Sequence, residues 1–246
     1  MPASPKYAKT DQRLRNQTAL ITGATRGIGL AIARTLANEG ANLILAARDQ
    51  KSLSKLGREL RSAKIVVHPC DVRDPHSVDE LFRAVRSQFP TIDILINNAG
   101  IAQPNLTIDQ LPYPLWKDVF ATNVDGTFLI TQAALPRMKR GGTIINNLSI
   151  AASRVFPGSA AYNASKHAAL GFTNTLREEL RSKGIRVIGL LPGATDTDIW
   201  KTLWPQAPRK KMMSPETVAQ ILVEAILLPP NATVENLQIL PTVGTL

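Results

Sequence analysis

Thr18-Ala19-Leu20-Ile21-Thr22-Gly23-Ala24-Thr25-Arg26-Gly27-Ile28-Gly29 decides how the chain reads. Five β-compatible residues run straight into a glycine-rich turn, and that turn opens an apolar helical stretch. Glycines allow a tight turn and let the backbone approach a pyrophosphate, which would rest on the free amides and positive dipole end of the helix. The spacing is G-x3-G-x-G, not the G-x-G-x-x-G dinucleotide fingerprint. By itself it leaves a plain tight connection open.

Outward from this turn, apolar β-branched runs at 18–22, 42–47, 65–68, 93–97, 143–148, 185–191 and 235–240 predict seven strands. Between them lie stretches with helical spacing: Leu53, Leu56 and Leu60; Val78, Leu81, Phe82 and Val85; and a long one over 116–134. Asp74-Pro75 and Ser214-Pro215 each place a capping side chain before a proline, whose missing amide costs nothing at the first helical position. Asp49 is expected to cap the helix carrying Leu53. Strands separated by helices imply right-handed crossovers, hence a parallel sheet covered on both faces with ligands at the carboxyl ends of its strands.

The 246 residues are 44% hydrophobic with a net charge of +10, and no repeat or long low-complexity linker divides them. A single domain over 17–246 is expected, preceded by a flexible basic tail over 1–16 that carries Lys6, Lys9, Arg13 and Arg15. No apolar run reaches the roughly 18 residues of a membrane helix. The tail lacks the apolar stretch of a secretory signal, and the lone Cys70 has no disulfide partner, so a soluble cytoplasmic protein is expected. The basic surplus favours anions such as nucleotide cofactors or acidic carriers. Without an aromatic-interleaved basic stripe or zinc spacing, nucleic acid is not expected.

Four motifs stand in order on these elements: the glycine turn, Asn97-Asn98-Ala99-Gly100 after the fourth strand, Tyr162-Asn163-Ala164-Ser165-Lys166 on a late helix, and Pro192-Gly193 followed by Thr197. Together they resemble the short-chain dehydrogenase/reductase family over about 18–240. The resemblance implies a doubly wound Rossmann fold. It also implies that Tyr162 exchanges a proton with the substrate oxygen, Lys166 holds the nicotinamide ribose, and Ser149 orients the carbonyl. Asn123 would hold a water linked to the lysine. Cofactor contacts carried over from it are Gly23, Thr25, Arg26, Gly27, Ile28, Gly29, Asp71, Val72, Asn98, Ala99, Gly100, Pro192, Gly193, Thr195 and Thr197, with Tyr162 and Lys166. Leu148 departs from the small residue the family often has there.

The residues support these roles physically. Tyr162 and Lys166 are four apart and share one helix face. Bringing a tyrosine from about 10 toward neutrality takes roughly 4 kcal/mol, which one ammonium about 4 Å away supplies at an effective dielectric of about 20. At the end of the second strand, Ala47 stands where an NAD-preferring member has an acidic residue. Arg48 beside it and Arg26 in the turn would flank a 2′-phosphate, which favours NADP(H).

The expected activity is hydride transfer between NADP(H) and a carbonyl or secondary alcohol, the substrate being a 3-oxoacyl group, carrier-bound or not, or a small ketone or 3-hydroxy acid. A noncatalytic NADP-binding sensor or scaffold is the alternative. Residues 194–213 should form a substrate lid in which Ile199, Trp200, Leu203 and Trp204 present an apolar face. Arg154 and the trio Arg209, Lys210 and Lys211 are the candidates for gripping a substrate anion. Surplus apolar positions on the 116–134 and 160–181 helices point to a homotetramer, with a dimer as the other option.

Overall fold

The computed structural model describes residues 12–60 and 64–245. Seven parallel strands form one sheet in the order β3-β2-β1-β4-β5-β6-β7: β1 Thr18–Thr22, β2 Asn42–Ala47, β3 Ile65–Pro69, β4 Ile94–Asn97, β5 Thr143–Asn147, β6 Arg186–Pro192 and β7 Asn236–Ile239. The strand readings hold to within a residue or two. β1 and β4 are buried at every position, as apolar runs sandwiched between two helical layers must be.

Alternation along the strands divides the core in two. Ala19 and Ile21 of β1 pack beneath α1 (Gly27–Asn38), α2 (Gln50–Glu59) and the last helix, α8 (Pro215–Ile226). Leu20, on the opposite face, joins the core under α3 (Pro75–Val85), α5 (Gly126–Ala134) and α6 (Ala160–Arg181). The three anticipated caps form: Asp49 accepts from Ser52 N, Asp74 from His76 N and Ser214 from Thr217 N.

Two expectations need correction. The 116–134 stretch is not one regular helix. It begins earlier, as α4 (Tyr113–Phe120) behind Pro112, passes through a π-helical turn at Ala121–Asp125, and resumes as α5. Hydrophobic periodicity does not register the one-residue insertion of a π turn, which here surrounds Asn123. The basic tail also does not extend to Asn16. Leu14 is 1% exposed within the core beneath α1, Arg13 bridges Glu39 and Glu224, and Leu14 N donates to Glu39 O at 2.9 Å. The packed body therefore reaches back to at least Gln12. The rest of the expected tail, 1–11 with Lys6 and Lys9, lies outside the described residues.

Candidate active site

The sheet grows outward in two directions from β1 and β4, and their carboxyl ends are stitched together where the directions part. Thr22 Oγ1 accepts from Asn98 N at 3.0 Å and Ala99 N at 3.1 Å, while Asn98 Nδ2 donates to Thr22 O at 2.9 Å and Gly23 O at 3.1 Å. Above this seam opens a cleft of about 1100 Å³. Its lining begins at Arg48, Asp71 and Val72, follows the turn Gly23, Thr25, Arg26, Gly27 and Ile28, and crosses Asn98, Ala99 and Gly100. It ends among Ser149, Tyr162, Lys166, Pro192, Gly193, Thr195, Thr197, Trp200, Leu203 and Trp204. Residues from six strand ends, α6 and the segment after β6 thus meet in one place.

At the inner end, Ser149 caps a short 3-10 turn just beyond β5, its hydroxyl accepting from Ala151 N at 3.1 Å. It also acts on the Tyr162 hydroxyl, favouring the ionised form. Lys166 is buried, its Nζ donates to Asn147 O at 2.9 Å, and it lies 5.6 Å from the centre of the Tyr162 ring. Asn147 Nδ2 in turn donates to Asn98 Oδ1 at 2.8 Å. A hydrogen-bonded chain therefore runs from the glycine turn through Asn98 and Asn147 to the lysine.

Residues 17–208 match the family described as short chain dehydrogenase. The chain belongs to that family. An oxidoreductase of Staphylococcus aureus (strain USA300) is 34% identical over 231 residues, covering 93% of this chain and 98% of its own length. An alcohol dehydrogenase from the archaeon Thermococcus sibiricus, solved with 5-hydroxy-NADP, superimposes with a TM-score of 0.86 at 30% identity, covering 92% of this chain and 97% of that one. A 3-ketoacyl-(acyl-carrier-protein) reductase from Brucella melitensis, solved with NADH, gives a TM-score of 0.85 at 27% identity over 93% and 98%. These likenesses support a nicotinamide cofactor for this short-chain dehydrogenase. Its cleft suits one: the volume is at the upper end for a small-molecule site, and the lining is continuous from Arg48 and Asp71 to Lys166.

Three of the anticipated residues stand elsewhere. Gly29 is behind the turn, not on the cleft, and its part is steric. A Cβ there would come 2.3 Å from Asn98 Nδ2 and 2.4 Å from Gly23 O, so glycine is what lets α1 close onto the seam. The Asn123 side chain is committed to Ile101, donating to its carbonyl and accepting from its N–H, both at 2.9 Å, and to Ser165 Oγ. It clamps the loop after β4, and its Oδ1 and the Lys166 ammonium both stand beside Gly100. Arg154 is exposed and does not line the cleft itself, but donates at 2.6 Å to Thr245 Oγ1, whose residue does.

On the lid, Thr195 bridges Met213, closing the loop at its base. α7 spans only Trp200–Leu203, and Trp200 Nε1 donates to Thr195 O at 2.8 Å. Arg209 is paired with Asp196, and neither it nor Lys210 or Lys211 lines the cleft. One participant escaped sequence reasoning altogether. Arg73, on the lining, grips the Asp71 carboxylate with Nε at 3.0 Å and Nη2 at 2.7 Å and reaches Asp118 at 3.5 Å. The only signal for it was its place two residues after Asp71.

The electrostatics differ from the simple tyrosine–lysine coupling. Desolvation pushes the Tyr162 hydroxyl above its ordinary value, with Ser149 working against it. Burial pulls Lys166 down to about 8, because the enclosed ammonium lacks a carboxylate partner. In the cofactor-free protein the lysine does not overcome the cost of placing a tyrosinate here. Since kcat/KM reports the free enzyme, kcat/KM for the cofactor should fall above about pH 8 as Lys166 loses its proton. Lys166→Arg, always charged, should remove that limb. A limb that persists belongs to another group.

Proposed function

We propose that this short-chain dehydrogenase reduces ketones with NADPH, with Tyr162 donating the proton. The observation that carries the reading is the grouping of Ser149, Tyr162 and Lys166 at the inner end of a dinucleotide-sized cleft. A bound nicotinamide cofactor supplies the hydride. The Tyr162 hydroxyl, held protonated by desolvation, gives its proton to the oxygen that becomes the alcohol. Ser149 orients that oxygen and stabilises charge developing on it. Lys166, largely ammonium at neutral pH, holds the ribose and keeps the site positive. A sensor or scaffold has no need of this hydroxyl–hydroxyl–ammonium grouping.

NADP preference is supported by Arg26 and Arg48, exposed on the cleft rim with alanine at 47 where an acidic residue would select NAD. Arg73 strengthens the case by occupying the Asp71 carboxylate, which would otherwise repel a 2′-phosphate. For the substrate, Ile150, Phe156, Ile199, Trp200 and Leu203 line the inner end, while Arg154 is tied to Thr245 and Arg209 to Asp196. That balance favours an uncharged apolar or aromatic ketone over a 3-hydroxy acid. A 3-oxoacyl group, free or carrier-bound, remains the second substrate reading because of the basic surface. We place the enzyme in the cytoplasm, in keeping with a buried Cys70 thiol pushed up to about 11 by desolvation.

The deciding experiment follows NADPH oxidation over a panel of neutral ketones, keto acids and 3-oxoacyl thioesters. Activity with none of them overturns the reading, and preference for the acids overturns the uncharged substrate. Tyr162→Phe should lower kcat about 100- to 10,000-fold with little change in NADPH affinity. Arg48→Ala should weaken NADPH about 10- to 100-fold while leaving NADH nearly unchanged. Equal losses would remove Arg48 from phosphate recognition. For assembly we propose a homotetramer built on the α4–α5 and α6 faces, where Phe128, 45% exposed, meets Phe172 edge-on. Light scattering that finds a monomer at micromolar concentration counts against it.

A further inference from the structure

Helix α6 carries Tyr162 and Lys166 but starts without a cap of its own, because Ser159 makes no capping bond. The gap is filled from 59 residues away. Gln103 Oε1 accepts from Tyr162 N at 3.1 Å, and Gln103 Nε2 donates to Gly158 O at 3.3 Å. The glutamine is 0% exposed.

Around it the two segments close like a clasp. Leu106 N donates to Gly158 O at 2.9 Å, and Leu106 bridges Ser159. Gly158 has φ +77, and a Cβ on it would stand 2.0 Å from Asn105 Oδ1, so only glycine fits. The same strand-end loop holds the cofactor side of the cleft. Asn98 to Gly100 line it, and Asn123 grips both backbone groups of Ile101 in between. Residues 97–106 therefore act as a ruler, with the cofactor floor at one end and the backbone of Tyr162 at the other.

We propose that Gln103 is a positioning residue, setting the Tyr162 hydroxyl against the reacting oxygen of the bound substrate by capping α6 at the tyrosine's own amide. The inference rests on Tyr162 as the proton donor. A satisfied glutamine that merely filled a core slot would be exchangeable for an apolar side chain of similar volume without a selective loss of turnover.

The full-length enzyme is compared as wild type, Gln103→Leu, Gln103→Glu and Tyr162→Phe, measuring kcat, ketone KM and NADPH affinity by fluorescence. Gln103→Leu should lower kcat about 10- to 100-fold with NADPH affinity held within about twofold. Gln103→Glu keeps an acceptor for the Tyr162 amide, and when protonated also a donor for Gly158 O, so its kcat relative to leucine should rise as the pH is lowered. A leucine variant with wild-type kcat, or a glutamate variant that stays no better than leucine at every pH, overturns the proposal. If Tyr162→Phe stays active, the reading of the site fails instead, whatever Gln103 does. Amide exchange in the wild type provides a check that needs no variant. Tyr162 N–H is in the first helical turn, where no intrahelical acceptor exists. Protection of about 100-fold or more is expected from Gln103, and exchange at the rate of an unbonded amide overturns the capping role.

Discussion

The seam between β1 and β4 is the constraint on which the rest depends. At this point the chain has built outward to β2 and β3 on one side and must build outward to β5, β6 and β7 on the other. Helices on opposite faces draw apart there, and the exposed strand ends would leave buried amides without partners. Asn98 and Ala99 resolve that by donating four hydrogen bonds across the gap to Thr22 and Gly23. The backbone amides of Asn98 and Ala99 on the cleft floor are thereby satisfied within the protein.

From the seam the order propagates by short polar links. Asn147 connects Asn98 to the lysine on α6. One position earlier on each strand, Asn97 and Asn146 form a rung of the β4–β5 ladder, with Asn97 Nδ2 bonded to Asn146 Oδ1 and Thr131 Oγ1, and Asn146 Nδ2 bonded to Thr173 Oγ1. A buried row of amides and hydroxyls thereby fixes α5 and α6 in register with the sheet. Apolar packing alone tolerates sliding, whereas a directional network of this kind specifies one arrangement.

The fold was largely legible because its signals are local: uninterrupted apolar strands, a glycine turn, and Asp49, Asp74 and Ser214 each capping a helix. The family resemblance pointed to Ser149, Tyr162 and Lys166 together, and a strand end and one helix face bring them to one cleft. Apart from Arg73, whose grip on Asp71 is local, what escaped depended on contacts between distant segments. Gln103 meets Tyr162 across 59 positions, and Leu14 enters the core beside α1, though each looks unremarkable among its sequence neighbours. Asn123 was located correctly, but the π turn and Ile101 decide where its side chain points. The tyrosine's electrostatics were misjudged for a related reason, since pairwise attraction is visible in a sequence and desolvation is not.

The lid is pinched at its root. Asp196 N donates to Met213 O at 2.8 Å and Met213 N to Ala194 O at 3.0 Å, so the ends of the intervening loop are fixed together by backbone bonds that use no side chain. Such a loop is a cassette. Its length and composition can change at small cost in closure entropy, while strand β6 and helix α8 on either side keep their places. The cleft wall on this side can therefore vary in length and composition while the β1–β4 seam and the strand ends around it stay as they are.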